Sequence, residues 1–310
     1  MNVNRTPRPP RRRVDGILLL DKPPGVTSNA ALQRARRACR AEKAGHTGTL
    51  DPLASGLLPL CFGEATKFAQ SLLDSRKEYV ATLAFGTSTT TGDAEGEVVD
   101  TAPVDFSPAD LAATLRRFEG EILQLPPLHS ALKFEGRAYY EYARAGQEVP
   151  RTPRPVTIEA LEIVECALPH AVLRVACTKG TYVRVLAEDI ARALGSRAHL
   201  AGLRRTRSGP FRVADAIGLD ALEAADPAGI DAFLLPVDAA LAGLPRRDLD
   251  APEAAALHHG RTVACRAEAD GSYRCYGPDG AFCGVAVAAG GVLRAGRMMR
   301  TATEDSGPRV

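Results

Sequence analysis

Gly45-His46-Thr47-Gly48-Thr49-Leu50-Asp51-Pro52-Leu53-Ala54-Ser55-Gly56-Leu57-Leu58 is the stretch on which the reading of this chain turns. Between Lys43 and Glu64 the only acidic or basic side chains are Asp51 and His46. Glycines, a proline and small residues surround them, a composition that lets backbone pass close to a ligand and holds a tight loop. Taken alone, Asp51-Pro52 suits a second reading, a helix cap with proline at the first helical position. The two alternatives stay open until the rest of the chain is read.

At 310 residues the chain has room for one large domain and a small one. Hydrophobic residues at 45% and charged residues at 25% are ordinary for a globular protein. No apolar run approaches the roughly 18 residues of a membrane span. The first thirteen residues hold five arginines and no apolar core, so they do not read as a secretory signal and a cytoplasmic location is expected. Seven cysteines without a Cys-x-x-Cys pair argue against a disulfide framework or a zinc ribbon. The net charge of +2 hides three basic clusters: Arg5, Arg8, Arg11, Arg12 and Arg13; Arg34, Arg36, Arg37, Arg40 and Lys43; and Arg204, Arg205, Arg207 and Arg212. Any one of them reads as a solvated face. Together, flanking the candidate site segments, they point to phosphate contacts.

Residues 1–13 are expected to be a disordered basic tail, residues 14–245 the main domain, 246–300 a small β-domain and 301–310 a second tail. Val14 to Leu20 reads as a strand entering a Pro-Pro-Gly turn. Ser28 is placed to cap a helix with Leu32 and Ala35 inward. Tyr79, Ala81, Leu83 and Phe85 alternate as in a half-buried strand. Ser107-Pro108 opens another helix, and strands follow near 156–164 and 171–177. Thr181 through Leu194 reads as a helix ended by Gly195, and Ala198 to Arg207 as a strand. An Ala-rich passage from Ile217 to Pro245 is expected to link the two domains. Beyond Thr262, the hairpin signals Asp270-Gly271, Pro278-Asp279-Gly280 and Gly290-Gly291 suggest a β-barrel.

Three segments carry a resemblance: the Asp51 stretch, Gly16-Ile17-Leu18-Leu19-Leu20-Asp21-Lys22-Pro23-Pro24-Gly25, and Lys179-Gly180-Thr181-Tyr182-Val183-Arg184. With them, from about Asp15 to Phe211, the chain resembles the TruB family of tRNA pseudouridine synthases. The resemblance implies an α+β pseudouridine synthase fold, with a mixed, largely antiparallel sheet and flanking helices, plus a small C-terminal PUA-like β-barrel that binds RNA. It further implies isomerisation of uridine 55 in the tRNA T-loop by a stand-alone enzyme. The expected partner is tRNA, through T-loop and T-stem, with no guide RNA, no membrane and a monomeric state.

Such a reaction breaks the bond from ribose C1′ to uracil N1, turns the base and rejoins C1′ to C5. The atoms are conserved, so no cofactor or metal is required. An ionised carboxylate suffices, as a nucleophile at C6 or C1′ or as the stabiliser and base of a ribosyl intermediate. Glycoside hydrolysis usually sets two carboxyl groups across the bond. The lone Asp51 therefore favours rearrangement, unless a second acid arrives from elsewhere in the fold.

Burial raises a carboxylate's pKa, and the resemblance assigns Arg184 as the compensating cation. Tyr182 and Arg184 cannot share one face of a regular helix, so both reach a pocket only if their motif spans a strand-to-helix turn. Tyr79 matches the family's active-site tyrosine, stacking on the displaced uracil and helping to remove the C5 proton; its strand also suits an ordinary core tyrosine. Leu203 matches an apolar pocket residue. The target base must leave its stack, and His46 resembles the residue that supports the disturbed stack. Lys22, Lys133 and Arg137 are expected as phosphate or structural contacts. Asp93 stays open between binding RNA and making its turn. Competing readings are an RNA-remodelling protein without chemistry, a nucleoside or metal-dependent hydrolase, and a guide-RNA-dependent relative of the same fold. For the hydrolase the histidines and cysteines offer no ligand spacing.

Overall fold

The structure, a computed structural model, describes residues 10–265 and 269–300. The apolar run at the start of the main domain forms β1 (Gly16–Lys22). Leu18 and Leu20 enter one core and Ile17 and Leu19 another, so this strand is buried on both faces and reads as continuously apolar. In chain order there follow α1 (Ser28–Ala38), β2 (Ala44–His46), β3 (Ser55–Phe62), α2 (Ala69–Asp74), β4 (Lys77–Phe85), β5 (Thr87–Thr89), β6 (Val98–Thr101), α3 (Pro108–Leu115) and β7 (Gly120–Gln124). A short hairpin, β8 (Lys133–Phe134) with β9 (Arg137–Ala138), and α4 (Tyr139–Arg144) precede β10 (Arg154–Ala167), β11 (His170–Cys177), α5 (Val183–Ala193) and β12 (Ala198–Ser208). The domain closes with β13 (Phe211–Arg212), β14 (Ile217–Gly218), α6 (Leu219–Ala224), α7 (Pro227–Asp231) and β15 (Leu234–Leu235).

These strands lie side by side in the order β14, β1, β3, β12, β4, β11, β10, β7. Neighbours are antiparallel except for β1 with β14 and β3 with β12, which gives the expected mixed, largely antiparallel sheet. Helix α5 turns Val183, Leu186, Ala187 and Ile190 onto β4, β11 and β12, while α3 adds Leu111 and Leu115. Ser107 and Asp110 close a reciprocal capping box at the start of α3. Gly195, with φ +74°, follows the end of α5 as expected.

The C-terminal part comprises β16 (Arg246–Asp248), α8 (Ala251–His258), β17 (Val263–Ala264), β18 (Gly271–Tyr276), β19 (Phe282–Ala289) and β20 (Val292–Met298). Its strands run in the order β16, β18, β19, β20, β17. Among the described residues no pairing joins β16 to β17, so the expected barrel is an open half-barrel. It packs on the main domain through Phe282, whose ring meets Phe68 edge-on at 5.5 Å, and through a 2.5 Å hydrogen bond from the Tyr276 hydroxyl to Asp238. Among the described residues, no helix is long and apolar enough to cross a membrane.

Four expectations are corrected. The tail is ordered at its end, because Arg12 pairs with Asp231 and donates to the Cys39 carbonyl at 3.0 Å; residues 1–9, like the second tail at 301–310, lie outside the described residues. Thr27, not Ser28, caps α1, its side chain accepting from Ala30 N, while Ser28 is buried in the first turn. The passage 217–245 is not a linker: β14 and β15 both pair with β1 and complete the main sheet. Among the described residues Asp270-Gly271 joins no hairpin; β18 pairs instead with β16 and β19, and the Asp270 carboxylate accepts from Gly290 N.

Candidate active site

The loop between β2 and β3 carries Asp51 to the end of the sheet. It does not start a helix: Ala54 N donates to the Asp51 carbonyl at 3.1 Å and the chain passes directly into β3. Ser28 pins the loop from α1, its hydroxyl accepting from Leu50 N at 2.7 Å and donating to Leu50 O at 2.9 Å. Gly48 adopts φ +116° and Gly56 φ +101°, conformations that L side chains rarely adopt. A Cβ on Gly56 would also lie 2.4 Å from the Arg205 carbonyl, so the close approach of β3 to β12 depends on glycine there.

Arg184 stands in the first turn of α5, and Tyr182 is the residue before that helix, so the motif does span a strand-to-helix turn. The Arg184 Nε lies 3.0 Å from Asp51 Oδ2. Its Nη atoms donate to the carbonyls of Thr91 at 2.6 Å and His129 at 2.7 Å, which fixes a buried guanidinium in one orientation. A second carboxylate does arrive from elsewhere: Asp93 Oδ2 is 3.8 Å from the same Nε. Asp93 is buried, and it also makes the turn, accepting from the Thr91 hydroxyl and from Glu95 N. Burial pushes the Asp51 carboxyl above the usual carboxylate range; Arg184 opposes the rise, Asp93 adds to it and Lys22 opposes it more weakly.

Two adjoining cavities share Asp51 and Arg184. One, of about 350 Å³, is also lined by Tyr79, Tyr182, Leu203 and Arg205. The other, of about 520 Å³, is lined by His46, Asp93, Glu95, Tyr140 and Arg144 among others. The structure thus brings Asp51, Arg184, Tyr79, Tyr182 and Leu203 together and sets His46 on the neighbouring side of the same carboxylate. Tyr79 and Leu203 pack against two of the sheet's three cores, the one under α5 and the one holding Leu18 and Leu20. Gln124 brackets Tyr182, accepting from its backbone N–H at 3.0 Å and donating to its carbonyl at 3.3 Å.

His46 ends a strand, since β2 pairs it with Leu60. Its Nδ1 is buried with no hydrogen-bond partner, and burial, followed by the charge of Arg205, disfavours the imidazolium.

Of the two roles expected for Lys22, phosphate contact or structural contact, its surroundings match the structural one. It is fully buried, and its Nζ donates to the carbonyls of Pro23 at 2.9 Å, Val26 at 2.6 Å and Pro52 at 3.4 Å, clamping the turn after β1 to the Asp51 loop. Burial lowers its pKa to about 8. Lys133 and Arg137 lie on the β8–β9 hairpin, exposed, with Arg137 over the Tyr142 ring at 4.4 Å.

The basic clusters also divide. Arg34 pairs with Glu223 and Asp220, Arg36 donates to the carbonyls of Ala41 and Glu42, and Arg204 pairs with Asp21 at 2.7 Å. Arg37, Lys43, Arg207 and Arg212 remain exposed. Arg205 belongs by sequence to the third basic cluster, yet it is buried in the cavity floor; nothing in a run of basic residues marks which one points inward. Among the described residues no group of three or more His, Cys, Asp or Glu side chains is placed to hold a metal ion.

A buried arginine that orients one carboxylate beside a tyrosine-lined cavity, on a mixed sheet with an appended half-barrel, fits an RNA base-isomerising enzyme. The family description TruB family pseudouridylate synthase (N terminal domain) matches residues 36–183. Those for the tRNA pseudouridylate synthase B C-terminal domain and the Pseudouridine synthase II TruB C-terminal region match 184–242 and 245–299. The chain is 55% identical to the tRNA pseudouridine synthase B of Burkholderia mallei (strain ATCC 23344), over 96% of this chain and 98% of that protein. It is 53% identical to the protein of the same name from Thiobacillus denitrificans, over 95% and 99%. An H/ACA ribonucleoprotein bound to a substrate RNA containing 2′-deoxyuridine aligns with a TM-score of 0.68 at 25% identity, covering 92% of this chain and 85% of that one. The chain belongs to the TruB family of pseudouridine synthases.

Proposed function

We propose that this chain isomerises uridine 55 in the T-loop of tRNA to pseudouridine, acting alone and without a guide RNA. The observation that carries the reading is the 3.0 Å pair between Asp51 and a buried Arg184, whose two Nη atoms are each anchored on a backbone carbonyl, at the junction of two cavities. Arg184 directs one carboxylate oxygen and favours its ionised form against the effect of burial. Asp51 then engages C6 of the base or C1′ of the sugar as the glycosidic bond breaks. The Tyr79 ring supports the detached uracil, C5 bonds to C1′, and the C5 proton leaves with help from the Tyr79 hydroxyl. His46 supports the stack from which the base is withdrawn. Asp93, 3.8 Å from the same Arg184 Nε, is taken up by its own turn and needs no water-directing role, so two acids near one arginine remain compatible with rearrangement.

Asp51→Asn tests the reading, since the amide keeps the loop's shape and removes the charge. Turnover of tRNA carrying tritium at uracil C5 is expected to vanish, with tRNA affinity changed by no more than about threefold, less than one lost hydrogen bond. Retained tritium release by the purified variant would overturn the assignment.

A further inference from the structure

Arg205 heads the fully buried side chains of the described residues by volume, and no carboxylate among them pairs with it. A guanidinium taken out of water without a counter-ion is costly, so the fold gains something specific by keeping it. Its Nε donates to the Leu57 carbonyl at 2.6 Å and its Nη2 to the Gly48 carbonyl at 3.3 Å. It therefore ties β12 both to β3 and to the loop that carries Asp51. In the β4–β12 ladder Arg205 stands directly opposite Tyr79, so both side chains leave the same face of the sheet. Both line the 350 Å³ cavity with Asp51 and Arg184. Around this guanidinium the other basic groups are pushed toward neutrality, mainly by burial and further by its charge: Lys22 and Lys77 to about 8, and His46 below the ordinary imidazole value. Burial moves the Tyr79 phenol the other way, against ionisation, and the Arg205 charge is the leading influence that opposes this.

We propose that Arg205 is a positioning residue for the isomerisation, holding the Tyr79 hydroxyl in the cavity and tying its placement to the Gly48–Asp51 loop. This rests on the reading of Tyr79 as the group that assists removal of the C5 proton. Arg205 itself touches no reacting atom. It acts through the tyrosine, aligning the phenol with C5 and favouring any negative charge the phenol acquires.

The test is a double-mutant cycle on the full chain, read by single-turnover tritium release at saturating enzyme, with tRNA binding and thermal unfolding measured in parallel. Arg205→Met in the wild-type background is expected to slow release by about 100-fold, the scale of a misplaced acid–base group, with tRNA affinity unchanged. In the Tyr79→Phe background the same substitution is expected to cost less than about threefold, because its target is already gone. Arg205→Lys, which keeps the cation, is expected to recover part of the rate. If Arg205→Met shows no cooperative unfolding, Arg205→Lys runs through the same cycle, and its loss should likewise vanish in the Tyr79→Phe background. Equal losses in both backgrounds would overturn the inference, leaving Arg205 a scaffold residue. Full activity of Tyr79→Phe alone would instead refute the role given to Tyr79.

Discussion

Asp51 is drawn in two directions by its surroundings, and its titration follows from which one prevails. Burial raises its pKa and Arg184 opposes the rise, so replacing Arg184 by Gln raises it further. In the mechanism proposed above the ionised form does the chemistry, so the acid limb of the single-turnover rate profile should move to higher pH in Arg184→Gln. A profile scaled down without moving would leave Arg184 an orienting role alone. A carboxyl whose folded pKa lies above its unfolded value lends stability below the unfolded pKa and loses it as pH rises through the folded one. The ionised Asp51 therefore burdens the fold at neutral pH, and Asp51→Asn should raise the unfolding midpoint at pH 7 while abolishing activity. Asp51 was legible from the composition of its loop, whereas Arg184 and Tyr79 were legible only through the family resemblance of their motifs, since by pattern alone Tyr79 reads as a core tyrosine. Asp93 and Arg205 were not: one resembled any turn aspartate and the other any surface arginine, and only the sheet register turns them onto the site.

Lys22 shows how elements are joined around the loop. Its ammonium satisfies the carbonyls of Pro23 and Val26 in the turn after β1 and reaches Pro52 in the Asp51 loop, so Lys22→Met leaves the first two without this donor. The expected loss is about 2 kcal/mol of unfolding free energy, measured by denaturant titration. An unchanged midpoint would mean that water or a shifted loop replaces the clamp. The long elements were readable from periodicity and caps: β4 from its alternation, α3 from Ser107-Pro108, and α5 from its apolar spacing and Gly195. The two-residue strands β14 and β15 were not, because pairs as short as Ile217-Gly218 and Leu234-Leu235 have no period of their own and become strands only by joining β1. The helix cap shifted by one residue for a related reason: Thr27 and Ser28 suit the position equally, and Ser28 is taken up by Leu50.

Across the whole molecule, the side chains lining both cavities come from residues 27–205, while the half-barrel docks on other residues of the main domain, Phe68, Asp238 and Lys67, through Phe282, Tyr276 and the Met298 carbonyl. Phe282→Ala should thus cost about 2 kcal/mol of stability, the burden of exposing Phe68, and leave the rate at saturating enzyme unchanged. A collapse of that rate would show that the half-barrel helps to shape the site. The change of texture after Pro245 coincides with the start of the separate five-stranded sheet at β16, but its docking contacts were not legible, since they join residues far apart in the chain. Unaided isomerisation of tRNA is tested most directly by one measurement: the purified chain, with no other protein or RNA, incubated with an unmodified tRNA transcript tritiated at uracil C5. The expected result is release of label from a single T-loop uridine, recovered as pseudouridine in intact tRNA. Release that requires an added RNA, or free uracil in place of pseudouridine, would contradict it.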